Sequence, residues 1–165
     1  MSAVTLTVLA GLPGSGKSSW ARAQALVTGA TLVSVDDIRV AGADPAFTMD
    51  RARRRTVALL KSNADVIVDS CNIHARVRRT WLNIGRAIGA RCTLMLIDTP
   101  VELCRSRNDQ RPEAERVAAE TYDRYLIAAQ SVLADVNVEG WDEVTVVDGE
   151  GQLPTLGVTA TSRSW

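Results

Sequence analysis

Cysteine is sparse and unpaired in this chain. Cys71, Cys92 and Cys104 are an odd set with no Cys-x-x-Cys spacing, which argues against a disulfide framework or a structural zinc site and leaves reduced, mostly buried thiols. No apolar run approaches the ~20 residues of a membrane-spanning helix, and Met1 to Ala10 lacks the basic start and cleavage site of a signal peptide. The expected location is cytoplasmic, with no membrane partner. Lysine is nearly missing: of 19 basic residues only Lys17 and Lys61 are lysines. Arginine grips phosphate in fork geometry, although genome composition produces the same bias.

What is present suits one globular domain. The chain has 165 residues, 46% hydrophobic and 23% charged, with no linker dividing it. Net charge is zero but unevenly spread. Residues 1–97 hold 13 Lys and Arg against 6 Asp and Glu, and residues 98–165 hold the reverse, 6 against 13.

Short β-branched runs alternate with amphipathic stretches. Strands are expected at Ala3 to Ala10, Thr31 to Val35, Asp65 to Asp69, Arg91 to Asp98 and Glu143 to Asp148. Helices are expected at Ser18 to Val27, Met49 to Asn63 and His74 to Ile88, with Gly29 and Gly89 as stops. Thr99-Pro100-Val101-Glu102 reads as a helix start capped by Thr99, opening a short helix that ends before Pro112. A longer helix is expected from about Glu113 to Ala134, with Tyr122, Tyr125 and Leu133 facing the core. Residues 149–165 are rich in Gly, Thr and Ser and read as a loosely docked or disordered end.

Gly11-Leu12-Pro13-Gly14-Ser15-Gly16-Lys17-Ser18 fits Gly-x-x-x-x-Gly-Lys-[Ser/Thr] and falls between an expected strand and an expected helix. The glycines let successive backbone N–H groups curl inward onto phosphate oxygens, helped by the positive helix end. Gly11, Pro13, Gly14, Ser15, Gly16, Lys17, Ser18 and Ser19 are thus the candidate nucleotide contacts. Lys17 belongs between the β- and γ-phosphates and the Ser18 hydroxyl on Mg²⁺. The ligands implied are ATP and magnesium. The expected architecture is an α/β fold of the P-loop NTPase, adenylate-kinase-like type. It has a parallel sheet of about five strands, helices on both faces and a short helical lid at about residues 100–115. Residues 1–150 form one domain, and 151–165 the tail.

The other strand ends supply candidates for the acceptor side. Asp36 and Asp37, followed by Arg39, sit at the ligand-bearing edge, where a carboxylate can accept a hydroxyl proton and a guanidinium can hold an anion. Either Asp could instead cap the next helix. In Asp69-Ser70-Cys71-Asn72, Asp69 is suited to a magnesium-bound water, and Asn72 to substrate or to Asp36; capping and turn roles are the alternatives. Arg105, Arg107 and Arg111 lie where a lid would carry charge onto the transferring group, solvated surface being the alternative. Residues 51–91 hold ten Lys and Arg and only two acids. This surface, with Arg76 on its polar stripe, would attract a polyanion, or else is an ordinary solvated face. Aromatics for stacking are scarce there: Trp81 and Trp20 read as packing residues, and His74 as a surface residue at a helix start.

The run from Gly11 to Ala21, Asp36-Asp37-Ile38-Arg39, Asp69 to Asn72 with Arg78 and Trp81, and Asp98-Thr99-Pro100 leading to Arg107-Asn108 and Arg111 together resemble one family. The chain is similar, over about Val4 to Leu133, to the kinase domain of phage and bacterial polynucleotide 5′-hydroxyl kinases. The resemblance implies ATP-dependent transfer of the γ-phosphate to 5′-OH ends of DNA or RNA. It implies Asp36 as general base, Lys17 and Ser18 as phosphate and metal contacts, Arg39 as a clamp on acceptor phosphate, and Arg107 and Arg111 as lid arginines. Asn72 and Arg76 complete the expected acceptor contacts. Family members differ at the positions of Asp69, Ser70 and Cys71. The fused phosphatase or ligase motifs of some members are missing, so such a partner would be a separate protein; a homo-oligomer is compatible. The rival readings are a small-molecule P-loop kinase and a nucleic-acid-binding ATPase.

Overall fold

The computed structural model describes residues 3–39 and 42–149, so the expected tail at 151–165 lies outside the described residues. Five strands form one sheet: β1 (Thr5–Ala10), β2 (Thr31–Ser34), β3 (Val66–Asp69), β4 (Arg91–Asp98) and β5 (Glu143–Asp148). Their spatial order is β2-β3-β1-β4-β5 and every pairing is parallel. The chain passes from β3 over β1 to β4. The loop leaving β1 therefore opens where strand order reverses, the crevice in which open α/β sheets bind ligands.

Parallel strands are buried on both faces, and their side chains sort by alternation. Leu6 and Val8 of β1 join Val33, Val66 and Val68 in a core closed by Ala52 and Leu60 of α3 (Pro45–Lys61) and Trp81 of α4 (Ala75–Ile88). On the opposite face Leu9, Ile67 and Ile97 pack on Trp20 and Ala21 of α1 (Lys17–Thr28). The expected packing roles of both tryptophans are thus observed. Gly85 lets α4 approach closely, because a Cβ there would overlap Cys92 Sγ and come within 3.1 Å of Leu6.

Three expected boundaries move, each for a local reason. Helix α3 begins at Pro45 rather than Met49: Asp44 Oδ1 accepts from the Ala46 N–H at 2.7 Å and Pro45 occupies the first turn. Val35 opens the short helix α2 (Val35–Ile38) instead of ending β2. The long helix expected over 113–134 is broken into a 3₁₀ turn (Glu113–Glu115), α6 (Ala119–Ala129) and α7 (Val132–Val136). Asn108, buried at the end of α5 (Val101–Asp109), donates to Val117 O and accepts from Val117 N, both at 3.0 Å. That two-bond clamp holds residue 117 out of a helix, and Leu133, expected in the core, is exposed.

Part of the uneven charge is an internal pairing. Arg78 has no exposed surface; its Nε and Nη2 donate to Glu139 Oε1 at 3.0 and 2.6 Å, and its Nη1 donates to the carbonyls of Asn72, at 3.0 Å, and Ile73. Arg86 pairs with Asp142 at 3.0 Å and Arg91 with Glu143 at 2.5 Å. Three of the ten cations of the basic stretch thus meet acids of the final third. Removing one partner of a buried pair strands the other charge, which costs about 3–5 kcal/mol. Glu139→Ala is accordingly expected to lower the unfolding free energy by about 3 kcal/mol in a urea titration followed by tryptophan fluorescence. A loss under about 1 kcal/mol would mean that water replaces the carboxylate.

Candidate functional site

The loop between β1 and α1 is shaped by glycine conformation and by what holds its carbonyls. Gly14 and Gly16 adopt left-handed backbone, with φ of 84° and 99°. Gly14 also lies so close to α5 that a Cβ would overlap the Cys104 carbonyl oxygen. Four successive carbonyls of the loop each accept from a side chain. Lys17 Nζ donates to Leu12 O at 2.8 Å, the Tyr122 hydroxyl to Pro13 O at 3.0 Å, Arg107 Nη1 to Gly14 O at 3.2 Å, and Thr99 Oγ1 to Ser15 O at 2.7 Å. With the carbonyls engaged, the peptide planes of the loop are fixed, and the Ser15 N–H closes the bend by donating to Leu12 O at 3.0 Å.

Thr99 was expected as the α5 cap, but α5 starts after Pro100 without a side-chain cap, and the Thr99 hydroxyl is spent on the loop. Tyr122, expected as core, is buried and also ties the loop; burial keeps its hydroxyl protonated far above the ordinary tyrosine range. Neither contact is visible in sequence, because each joins residues more than 80 positions apart.

Beside the loop lies a cleft of about 510 Å³ lined by Gly14 to Trp20, Ile97, Arg107, Arg111 and Val147 to Gly149. Ser15, Gly16, Lys17, Ser18 and Ser19 therefore meet both expected lid arginines. Gly11 and Pro13 are buried behind the loop rather than in the cleft. Arg105 is turned away, pairing with Asp123 at 2.8 Å and lying over the Tyr122 ring. The wall from Val147 to Gly149 was not anticipated, since Glu143 to Asp148 read only as a strand. It closes tightly: a Cβ on Gly149 would overlap Thr99 Oγ1.

Asp69, at the end of β3, is 5% exposed and hydrogen-bonded to the Ser18 hydroxyl. Burial raises its carboxyl above the ordinary range, and the Ser18 bond and the Lys17 charge pull the other way. A hydroxyl beside a carboxylate is the hard-oxygen pair that suits magnesium, which takes few protein ligands and leaves room for phosphate and water. Among the described residues no group of three or more His, Cys, Asp or Glu side chains is placed to hold a metal ion.

The acceptor candidates lie beyond Asp69. Asp36 on α2 and Arg39, the residue that follows that helix, form an exposed ion pair at 3.1 Å. The cap of α2 is Ser34, whose Oγ accepts from the Asp37 N–H at 3.3 Å, so neither aspartate is used as a cap. The charge of Asp36 acts on Asp69 and on Tyr125, which places the acid on the same side as the Ser18 hydroxyl, although outside the large cleft. Asn72 is a correction to the acceptor set. It is 4% exposed, its Nδ2 donates to Leu9 O at 2.7 Å and Ser70 O at 3.3 Å, and its Oδ1 accepts from Trp81 Nε1 at 3.1 Å. With its amide so committed, it braces the β3 loop instead of meeting substrate. Arg76 is exposed in the first turn of α4 and does not line the cleft.

Comparison with known proteins agrees with this anatomy. No curated protein matches in sequence. A chain from a structure of the Pnkp1/Rnl/Hen1 RNA repair complex is 25% identical, with a TM-score of 0.68 over 81% of the present chain. The alignment spans 46% of that protein, so the present chain corresponds to under half of its length. A sugar kinase from Janibacter sp. HTCC2649 (19% identity, TM-score 0.58, 90% of this chain and 87% of that one) shares the fold. So does a gluconokinase from Sinorhizobium meliloti 1021 (16%, TM-score 0.63, 93% and 87%). The family model described as an AAA domain matches residues 6–134. With its phosphate loop, lid and five parallel strands accounted for, the chain belongs to this AAA-domain family and has a P-loop kinase-like fold.

Proposed function

We propose that the chain is an ATP-dependent kinase that transfers the γ-phosphate to the 5′-OH end of a polynucleotide. The observation that carries this reading is the Asp36–Arg39 pair at α2, which follows the end of β2 where Ser34 lies in register with Asp69 of β3. One group takes a proton from a hydroxyl and its neighbour holds an anion, which suits an acceptor with both. Exposed ion pairs are worth about 0–1 kcal/mol, so the two side chains separate readily when an acceptor phosphate arrives. The 25% identity to a chain of an RNA repair complex supports the same acceptor class.

In this mechanism Lys17 leaves the neutral Leu12 carbonyl for the β,γ-phosphates, a stronger, charge-assisted bond. Ser18, with Asp69 acting through water, would hold magnesium, and the ion would supply charge neutralisation to the phosphates. Arg107 and Arg111 lie in the cleft with the loop and stabilise charge on the transferring group. Asp36 accepts the 5′-OH proton late in a loose transition state.

A second reading, a kinase of a small hydroxylated molecule, is favoured by the internal pairing of Arg78, Arg86 and Arg91, which shrinks the positive surface offered to a polyanion. The two differ in salt response. Nucleic-acid affinity falls steeply with salt through counterion release, whereas that of a neutral sugar does not.

Incubation with γ-labelled ATP, Mg²⁺ and a 5′-OH oligonucleotide, beside its 5′-phosphorylated twin and a panel of sugars and nucleosides, is expected to label the first alone. Its KM should climb with salt; label on a metabolite instead selects the second reading, and label on none leaves an ATPase. Asp36→Asn is expected to cut kcat by about 10²–10⁴-fold with ATP affinity retained. Transfer at the wild-type rate would remove Asp36 from the base role. Arg107→Ala is expected to lower kcat by about 10²-fold, read in the same assay.

A further inference from the structure

An aromatic pair stands near the proposed acceptor residues Asp36 and Arg39 and takes no part in the chemistry above. The rings of His74 and Tyr125 are 5.9 Å apart, centre to centre, tilted by 48°. His74 is exposed at the start of α4 and makes no side-chain capping bond. Tyr125, on α6, is half-buried against Cys71 and the core behind it. The Cys71 carbonyl accepts from the Gly11 N–H at 3.0 Å, which ties the loop before His74 to the root of the phosphate loop. The charges of Asp36 and Arg39 both reach the Tyr125 hydroxyl. Ser34 lies opposite Asp69 in the β2–β3 register, so Asp36, Arg39 and His74 all follow the carboxyl ends of neighbouring strands.

We propose that Tyr125, with His74 beside it, is the seat on which the 5′-terminal nucleobase of the acceptor strand stacks. Ring stacking accepts any base, because every base has a π face, and it is worth about 1–3 kcal/mol per base in single-strand binding. A half-buried ring is held in place before the base arrives, so little ordering is lost on contact. The basic helix face follows directly, with Arg76 and Arg79 exposed two and five residues after His74 and available to phosphates further along the strand. A substrate without a base, such as a sugar, has no use for this seat. Tyr125 is therefore a specificity-determining, positioning residue rather than a catalytic one.

This inference rests on the polynucleotide reading, and the test separates the two. Steady-state transfer is measured with a 5′-OH oligonucleotide and with the same strand bearing an abasic 5′ residue, for wild type and for Tyr125→Phe, Tyr125→Leu and His74→Ala. With wild type, the abasic strand is expected to raise KM about tenfold, with a much smaller change in kcat. Tyr125→Phe keeps the ring and the discrimination. Tyr125→Leu fills the core without a π face and is expected to raise KM about tenfold for the normal strand, with no further penalty for the abasic one. The KM for ATP reports whether each variant is folded, and His74→Ala should lose a smaller part of the discrimination. Equal KM for normal and abasic strands in wild type, or an undiminished abasic penalty in Tyr125→Leu, overturns the seat while leaving the kinase reading intact. Wild type that labels no oligonucleotide overturns both.

Discussion

The site depends on keeping the carbonyl oxygens of the phosphate loop away from the anion. A tight loop contains as many acceptors as donors, and an anion is repelled by the first and held by the second. Lys17, Tyr122, Arg107 and Thr99 each engage one carbonyl from Leu12 to Ser15. Those donors come from α1, α6, α5 and the β4–α5 turn, so most of the surrounding architecture serves to orient four peptide planes. This explains why the break between α5 and α6 matters. If residues 113–134 were one straight helix, the Asn108–Val117 clamp would be lost, and nothing would fix where α6 begins relative to the loop.

Two of those donors have a second use. Lys17 and Arg107 rest on neutral carbonyls at the edge of the cleft, so in the proposed reaction each would lie beside the place where phosphate charge develops. Preorganised charge of this kind acts without the reorganisation that water would require. Arg105 shows the contrast: it lies on the same helix but is committed to Asp123 and the Tyr122 face, and it supports the lid from behind.

Much of this was legible from local pattern. Strand and helix alternation gave the five parallel strands, and the Gly-x-x-x-x-Gly-Lys-Ser spacing located the nucleotide end, because both signals are set by neighbours in sequence. What stayed hidden was set by distant partners. Thr99 satisfies every rule for a cap, yet the Ser15 carbonyl 84 positions away takes its hydroxyl. Asn72 looks like a free polar loop residue until Leu9 and Trp81 are brought around it. The basic count over 51–91 overstated the positive surface, since the partners of Arg78, Arg86 and Arg91 arrive only when the last third of the chain folds back. His74 and Tyr125 lie 51 positions apart and give no pattern in sequence at all.

Gly14 lies so near α5 that there is no room for a Cβ between it and the Cys104 carbonyl. Any side chain introduced at position 14 would have to push that helix outward, carrying the guanidinium of Arg107 with it. Damage to the phosphate-binding bend would then be felt across the cleft, and a survey of loop variants would report on the placement of α5 as much as on the loop itself.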